Sequence, residues 1–344
     1  MTEWRVEEVD PTTDSRWDEL TGTGEVDVFQ TAPWIRSVTK PYGFTPRAVL
    51  VLHDNRPVGG APFVEVDGAA GHRMVVGPFS DYCDPILHDD GAWALIAGYF
   101  EGLNLPVRFR FLRFRPTDIT NLRPDGLARW HGLHLNRSPE ELLASMDSAA
   151  RRAIAKSERS GLEIVDAQDM GDLSAFYDIH VDVRRLKYRL LAQPISFFEG
   201  IWHEFIEKGT GRLSLAVSGG QVIAGVLFIE WKDRVYYKFN ASRDEFLGLR
   251  PNDAIVWAAI RSAYENGRTL LDFGLSDWDQ SGLRNYKLKF GSVEDVIRTY
   301  ALGPPPKVPG LASVLGPLTL LLTDESLSRD FTTRAGELLY VQFA

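Results

Sequence analysis

Apolar and polar positions along this chain run through the same succession twice. Val58–Val66 reads Val-Gly-Gly-Ala-Pro-Phe-Val-Glu-Val, and Ile223–Trp231 reads Ile-Ala-Gly-Val-Leu-Phe-Ile-Glu-Trp. Gly60 matches Gly225, Phe63 matches Phe228, Val64 matches Ile229 and Glu65 matches Glu230, all at one offset. Each stretch follows a short apolar run and a turn: Ala48–Leu52 then His-Asp-Asn-Arg-Pro, and Leu213–Val217 then Ser-Gly-Gly-Gln. Such runs joined by Gly, Asn or Asp predict hairpins. After each come another strand, a helix with tryptophan near its start (Trp93, Trp257) and a further strand, Val107–Phe111 or Thr269–Phe273. Solenoid periods run about 20–50 residues, so a repeat this long is a duplicated domain.

The rest of the pattern fits around these units. Phe29–Trp34 reads as a helix entry with Pro33 in the first turn, and Ser138-Pro-Glu-Glu as another, with carboxylates at its start. Over 174–190, Phe176, Ile179, Val183, Leu186 and Leu190 fall at steps of three and four, which predicts one helix with Arg184, Arg185, Lys187 and Arg189 off its apolar stripe. Lys232–Arg234 turns into Val235–Asn240, and Pro251 opens a helix that stops at Gly267. Gly303–Gly310, with its consecutive prolines, is a linker. The tail beyond it is expected to be partly helical and to dock through Phe331, Leu338, Leu339 and Phe343. The expected division is 1–137, 138–302, and 303–344 for linker and tail.

Composition narrows the classes. At 344 residues the chain has room for two cores, and 44% apolar with 25% charged residues is globular. A net charge of −9 argues against a general polyanion binder and leaves room for a local basic groove. One cysteine, Cys83, excludes an internal disulfide, and the seven histidines lack ligand spacing, so no metal is expected. Met-Thr-Glu-Trp-Arg-Val-Glu-Glu has no apolar signal core and Leu311–Leu322 is too short to span a bilayer, so a cytoplasmic location is expected.

Candidate chemistry stands beside plainer readings. The helix opening at Pro251 suits an anion at Gly248–Asp253, or is an ordinary crossover. Lys287 and Lys289 could neutralise phosphates, or keep a strand edge soluble. Arg151, Arg152, Lys156 and Arg159 at helical spacing read as a solvated face. Val107–Phe111 alternates arginine with apolar residues, a strand with one wet cationic face. Between Asp81 and Asp84, Cys83 reads as a small buried residue, because flanking carboxylates oppose thiolate formation. Asp81 and Asp84 are the better acid–base or amine-binding candidates.

Ile179-His180 through Arg184-Arg185, Gln193-Pro194-Ile195-Ser196-Phe197-Phe198, Tyr236-Tyr237…Asn240, Leu271-Asp272-Phe273-Gly274 and Tyr286-Lys287-Leu288-Lys289-Phe290-Gly291 together resemble one family. It is the GNAT-like acyltransferases related to the Fem peptidyl transferases, also labelled lipid II:glycine glycyltransferase-like or BioF2-like acetyltransferases. The match is clearest over about 140–300, and the first half looks like that family's partner domain. The resemblance implies an α/β fold with a mixed sheet and two tandem GNAT-like domains. It also implies transfer of an acyl or aminoacyl group to an amine. Carried over by position, Asp272 stands near the cleft, Lys287 and Lys289 near donor or acceptor phosphates, and Arg184 and Arg185 toward the acceptor, with Tyr237 and Asn240 as further substrate-binding candidates. Asp81 and Asp84 complete the catalytic candidates.

The donor loop departs from the usual CoA cradle. Arg243-Asp-Glu-Phe-Leu-Gly248-Leu-Arg250-Pro251-Asn252 has one glycine, differently spaced, and then a proline without an N–H. Arg243, Gly248, Arg250 and Asn252 are its candidate binding residues. The expected donor is therefore aminoacyl-tRNA rather than acyl-CoA, with no tightly bound cofactor. The acceptor is expected to be a small or lipid-linked amine related to cell wall, saccharide or specialised metabolism. A tRNA would use a local basic groove, and the tail would make peripheral membrane contact. Two alternatives are a conventional acyl-CoA N-acetyltransferase and a degenerate GNAT-fold scaffold.

Overall fold

The computed structural model describes residues 3–68, 71–116, 121–305 and 311–343. The first half contains β1 (Trp4–Val9), α1 (Ser15–Gly22), α2 (Ala32–Tyr42), β2 (Arg47–His53), β3 (Arg56–Gly68), β4 (Gly71–Val76), β5 (Ile86–Leu87), α3 (Ala92–Gly102) and β6 (Val107–Phe111). Next come β7 (Arg123–His134), α4 (Pro139–Ser145), α5 (Ser148–Arg159), β8 (Glu163–Asp166), α6 (Met170–Asp182) and α7 (Ile195–Ile201). They are followed by β9 (Gly211–Ser218), β10 (Gln221–Trp231), β11 (Arg234–Ser242), α8 (Pro251–Glu265), β12 (Leu270–Asp277) and α9 (Ser281–Leu288). The chain ends with β13 (Val293–Leu302), α10 (Leu311–Leu322) and α11 (Arg329–Leu339).

Two compact units result: Met1–Ala128 with Val296–Pro317 and Leu339–Ala344, and Arg129–Asp295 with Leu318–Leu338. The boundaries thus fall inside β7 and β13, whereas the sequence pattern places them at the loops near 137 and 302. A strand carries no compositional break, so pattern alone cannot see a boundary within one. Of the expected linker, residues 306–310 lie outside the described residues.

Each unit repeats one topology. In the first, β1-β2-β3-β4 are antiparallel neighbours and β4 pairs parallel with β6. In the second, β8-β9-β10-β11 are antiparallel and β11 pairs parallel with β12. Asp54 and Asn55 turn the first hairpin and Gly219 and Gly220 the second, all at positive φ as tight hairpin turns require. Gly60 and Gly225 occupy equivalent places inside β3 and β10. A Cβ on Gly60 would meet the Trp17 ring of α1 at 2.6 Å, and one on Gly225 the Phe176 ring of α6 at 2.6 Å. The repeated glycine lets an aromatic ring from the preceding helix lie on the strand. Trp93 of α3 joins one core with Phe63 and Phe109, and Trp257 of α8 the other with Phe228 and Phe273.

Two local expectations are corrected. The helix expected over 174–190 ends at Asp182 and becomes a π-turn over Val183–Lys187, closed by the Tyr188 N–H donating to the Val183 carbonyl at 3.2 Å. The wider turn rotates the stripe: Leu186 and Leu190 emerge into solvent while Arg185 turns inward. The tail buries Leu315 and Tyr340 beside a set of small residues, and not the large residues expected. Thr332, Ala335 and Gly336 are buried, and Gly336 lies so close to the Ala192 carbonyl that no Cβ fits, whereas Phe331, Leu338 and Phe343 are exposed.

Candidate active site

The second unit contains a wedge between two parallel strands. β11 and β12 pair only at Arg234↔Leu270, Val235↔Leu271 and Tyr236↔Asp272. Both strands continue, β11 to Ser242 and β12 to Asp277, so Tyr237–Ser242 have no partner from β12. Gly274, at φ 66°, breaks the regular pleat of β12 just beyond the last pair. β10 pairs the opposite edge of β11 over this stretch.

α9 closes one side of the wedge. Segment 286–291, whose plainer reading was a solvated strand edge, is the end of this helix and the turn after it. The Lys287 ammonium is buried (3% exposed) and donates to the carbonyls of Leu275 at 2.6 Å and Gly274 at 3.3 Å. It therefore anchors the bulged strand and is not an open phosphate ligand, contrary to the sequence expectation. Asp272, 1% exposed, accepts the Gly274 N–H at 2.7 Å. Asp272 and Lys287 thus meet at Gly274, one taking its N–H and the other its carbonyl. Lys289 pairs with the buried Asp253 of α8 and stands 4.2 Å from the Tyr286 ring centre. Burial pushes the Tyr237 and Tyr286 phenols above their ordinary values. Tyr237 packs on Phe273, which stacks on Phe290, so a lysine–aromatic wall flanks the wedge.

The donor loop is not a glycine cradle. Asp244–Leu249 winds as a 3-10 helix, with the Phe246 N–H on the Arg243 carbonyl and the Arg250 N–H on Leu247. Arg250 sits at φ 64°, Pro251 occupies the first turn of α8, and Asn252 accepts the Ser242 hydroxyl at 2.8 Å. Arg243 donates from Nε to the Val222 carbonyl. Gly248 and Asn240 are exposed. Asp244 and Glu245, also exposed, add negative charge where a pyrophosphate would need positive.

The remaining candidates serve the scaffold. Arg184 donates to the Leu191 carbonyl at 3.0 Å, and Arg185 to the carbonyls of Asp324, Glu325 and Leu327 in the turn between α10 and α11. Neither is an open acceptor-binding cation. In the first unit Asp84 accepts the N–H groups of Leu112, Arg113 and Phe114 at 3.0–3.2 Å. Arg113 pairs with Asp84 at 3.4 Å and with Asp27, which also accepts the Tyr82 hydroxyl. Burial raises the Asp84 carboxyl against the opposing pull of Arg113 and these N–H groups. Its lone pairs are committed, so it closes the end of β6 and is not a proton-transfer group. Asp81, half-buried, stands in the same loop. Burial, then the charges of Asp84 and Asp27, push the Cys83 thiol up, in keeping with a structural cysteine.

No sequence signal marks His131. It lies fully buried on β7 with neither ring nitrogen hydrogen-bonded among the described residues, and Glu294 stands 3.7 Å from Nδ1. Burial and the neighbouring Lys287 push it down to about 4, so the ring is neutral at pH 7. No group of carboxylate, histidine and cysteine side chains among the described residues has metal-binding arrangement.

Comparison with known proteins follows this geometry. Residues 144–288 match the family model described as an acetyltransferase (GNAT) domain. FemX shares the fold with a TM-score of 0.63 at 14% identity, over 85% of this chain and 96% of FemX. A tandem GNAT protein from the clavulanic acid biosynthesis pathway aligns with a TM-score of 0.53 at 14% identity, over 88% and 99% of the two chains. The C-terminal domain assigned to a lysylphosphatidylglycerol synthetase from Agrobacterium fabrum gives 0.51 at 15% identity, over 76% and 85%. A search of curated protein sequences gives no match. Residues 144–288 thus match the GNAT domain model, and the chain shares the fold of FemX and of the tandem GNAT protein.

Proposed function

We propose that this protein transfers an acyl or aminoacyl group to an amine, with the chemistry in the second unit. The observation that carries this reading is the wedge between β11 and β12 within the matched GNAT domain. An acyl carbonyl entering it faces the edge of β11 that β12 leaves beyond Tyr236, while β10 pairs the opposite edge; backbone N–H donors preorganised along such an edge stabilise a developing oxyanion. The acceptor nitrogen attacks the carbonyl carbon and the C–N bond forms. The ester C–O or thioester C–S bond then breaks, and the ammonium proton leaves with the departing hydroxyl or thiol. Positioning supplies much of the acceleration, so no side-chain nucleophile is required.

An aminoacyl ester of tRNA is the donor this site favours. The wound loop Asp244–Leu249, the carboxylates of Asp244 and Glu245, and Pro251 all weaken a pyrophosphate cradle. Arg152, Lys156 and Arg159 on the exposed face of α5 offer a basic surface for the tRNA backbone. The acceptor we favour is a cell-wall, saccharide or specialised-metabolite amine, the last in keeping with the similar tandem GNAT protein from the clavulanic acid biosynthesis pathway. Exposed Leu320, Leu321, Phe331 and Leu338 support a peripheral contact of the tail with a membrane. No helix among the described residues is long and apolar enough to cross one.

The test incubates purified protein with aminoacyl-tRNA or acetyl-CoA beside a panel of amine acceptors and reads intact products by mass spectrometry. Transfer from aminoacyl-tRNA is expected. Transfer from acetyl-CoA alone, with tight salt-insensitive binding by calorimetry, would make the protein an ordinary N-acetyltransferase. Product from neither donor would favour a binding module.

A further inference from the structure

His131 is a buried ring that no hydrogen bond holds. It is inaccessible on β7, and neither ring nitrogen has a partner among the described residues. Buried polar side chains ordinarily have one. The charged groups that face it come from three of the elements around it. Glu294 of β13 stands 3.7 Å from Nδ1, α9 contributes Lys287 and Arg284, and β7 itself contributes Arg129. β12, also beside β7, supplies the Gly274 and Leu275 carbonyls that take the Lys287 ammonium. Three cations and one carboxylate therefore face the ring. That carboxylate is already shared, because Arg284 holds both its oxygens at 2.7 Å and Arg129 approaches at 3.9 Å. A proton on His131 adds a further buried positive charge beside these cations.

The same groups seat α9. Of Ser281–Leu288 only Lys287 is buried, while Ser281, Gly282, Leu283 and Asn285 are exposed. Tyr286 and Leu288 add half-buried contacts. The helix thus leans on two polar ties: the Lys287 ammonium on the carbonyls of β12, and the Arg284 guanidinium on Glu294 of β13. Elements with little buried apolar area open locally at a lower free energy than the strands they pack on. Both ties end at groups that face His131, so a charge on the ring acts on each of them.

We propose that α9 is an acid-released lid: protonation of His131 drives this helix off the ring and lifts Lys287 from the bulged end of β12 beside the wedge. With α9 seated, burial and then Lys287 hold the ring at about 4, against 6.5 for a free imidazole. With α9 lifted, the ring returns toward the free value. The lifted state therefore gains as pH falls below 6.5, and its gain is complete below 4. At pH 5 the gain is about thirtyfold relative to pH 8. The lid is independent of what the wedge binds, so it stands or falls apart from the transferase reading.

Amide hydrogen exchange on the full chain, corrected for its intrinsic pH dependence, measures the opening without any substrate. The reporters at the end of α9 are the N–H groups of Lys289, Phe290 and Gly291, which donate to the Asn285, Lys287 and Leu288 carbonyls. Gly274, whose N–H Asp272 accepts, reports the bulge, and Val226 and Leu227 in β10 report unfolding of the whole unit. We expect the α9 and Gly274 amides to exchange faster than those of β10, and to open about thirtyfold more at pH 5 than at pH 8. In His131→Gln that rise should disappear while the order of the amides is kept. The parent chain alone can refute the lid, should the variant fold poorly. The proposal is overturned if the α9 amides open equally at both pH values, or if they exchange only as fast as those of β10, so that the helix leaves with the whole fold. A rise that persists in His131→Gln overturns it too, because another group would then be the sensor.

Discussion

Replacing Lys287 separates an anchor from a ligand. The ammonium is nearly inaccessible and donates to two carbonyls of β12, strongly at 2.6 Å and weakly at 3.3 Å. A hydrogen bond to a charged group contributes about 1.5–3 kcal/mol, and a buried carbonyl left without a donor adds its own desolvation cost. Against this, Lys287→Met no longer removes an ammonium from water, which offsets part of the loss. The net expectation is a destabilisation of about 1–3 kcal/mol for Lys287→Met. Lys287→Ala adds a cavity where the stem was and should cost about 2–4 kcal/mol. Lys156→Met on the exposed face of α5 is the control, expected within about 0.5 kcal/mol of the parent. Urea unfolding read by tryptophan fluorescence gives the midpoints, provided m stays constant across the series. A Lys287→Met midpoint equal to that of Lys156→Met would refute the reasoning and return Lys287 to the pool of free phosphate ligands.

Two further expectations concern buried charge. His131 is held at about 4 in the fold by burial and by Lys287, against 6.5 for a free imidazole. The unfolded chain therefore binds the extra proton between these values, and stability falls as pH drops from about 6.5 to 4, by about 3 kcal/mol from this ring. Comparing the urea midpoints of the parent and His131→Gln at pH 8 and pH 5 tests it: the parent should lose more, and equal losses would be evidence against the shift. Asp84→Ala strips the partner from three N–H groups and leaves Arg113 with Asp27, so a loss of about 3–5 kcal/mol is expected. Calorimetric melting measures it, and an unchanged transition would reopen Asp84 as a functional carboxylate.

The duplication was legible because it rests on period-two patterning and on turn residues with their own physical signature. Asp54-Asn55 and Gly219-Gly220 mark the hairpins locally, and Gly60 and Gly225 mark the close ring contacts. The chemistry of single side chains was not legible to the same degree. Whether a lysine is open depends on carbonyls that a bulge releases, and nothing in Tyr286–Gly291 announces the kink at Gly274. Asp84 looked reactive beside Cys83, yet its partners Leu112–Phe114 lie about thirty residues away. The stripe from Phe176 to Leu190 assumed 3.6 residues per turn, and one π-turn exchanged Leu186 for Arg185 at the interior. His131 carries no motif and is visible only through its burial.

The two copies treat the end of their parallel pair differently, and this bears on where catalysis can reside. In the first unit, β4 and β6 pair at Met74↔Val107 and Val75↔Arg108, after which the chain fills the gap with its own loop. The Cys83 N–H donates to the Arg110 carbonyl at 2.7 Å, and the Asp84 carboxylate takes the N–H groups just beyond β6. Gly77, at φ 60°, lies so close to Cys83 that a side chain there would collide. In the second unit β11 and β12 pair only as far as Tyr236↔Asp272; Lys287 of α9 and Asp272 of β12 itself hold the backbone around Gly274, and β10 continues to pair the other edge of β11 as far as Ser242. A carboxylate on amides seals one copy, and an ammonium on carbonyls steadies the other without sealing it. Among the described residues the wedge of the second unit thus stands where the first unit places a loop, and it lies in the unit that contains the matched GNAT domain.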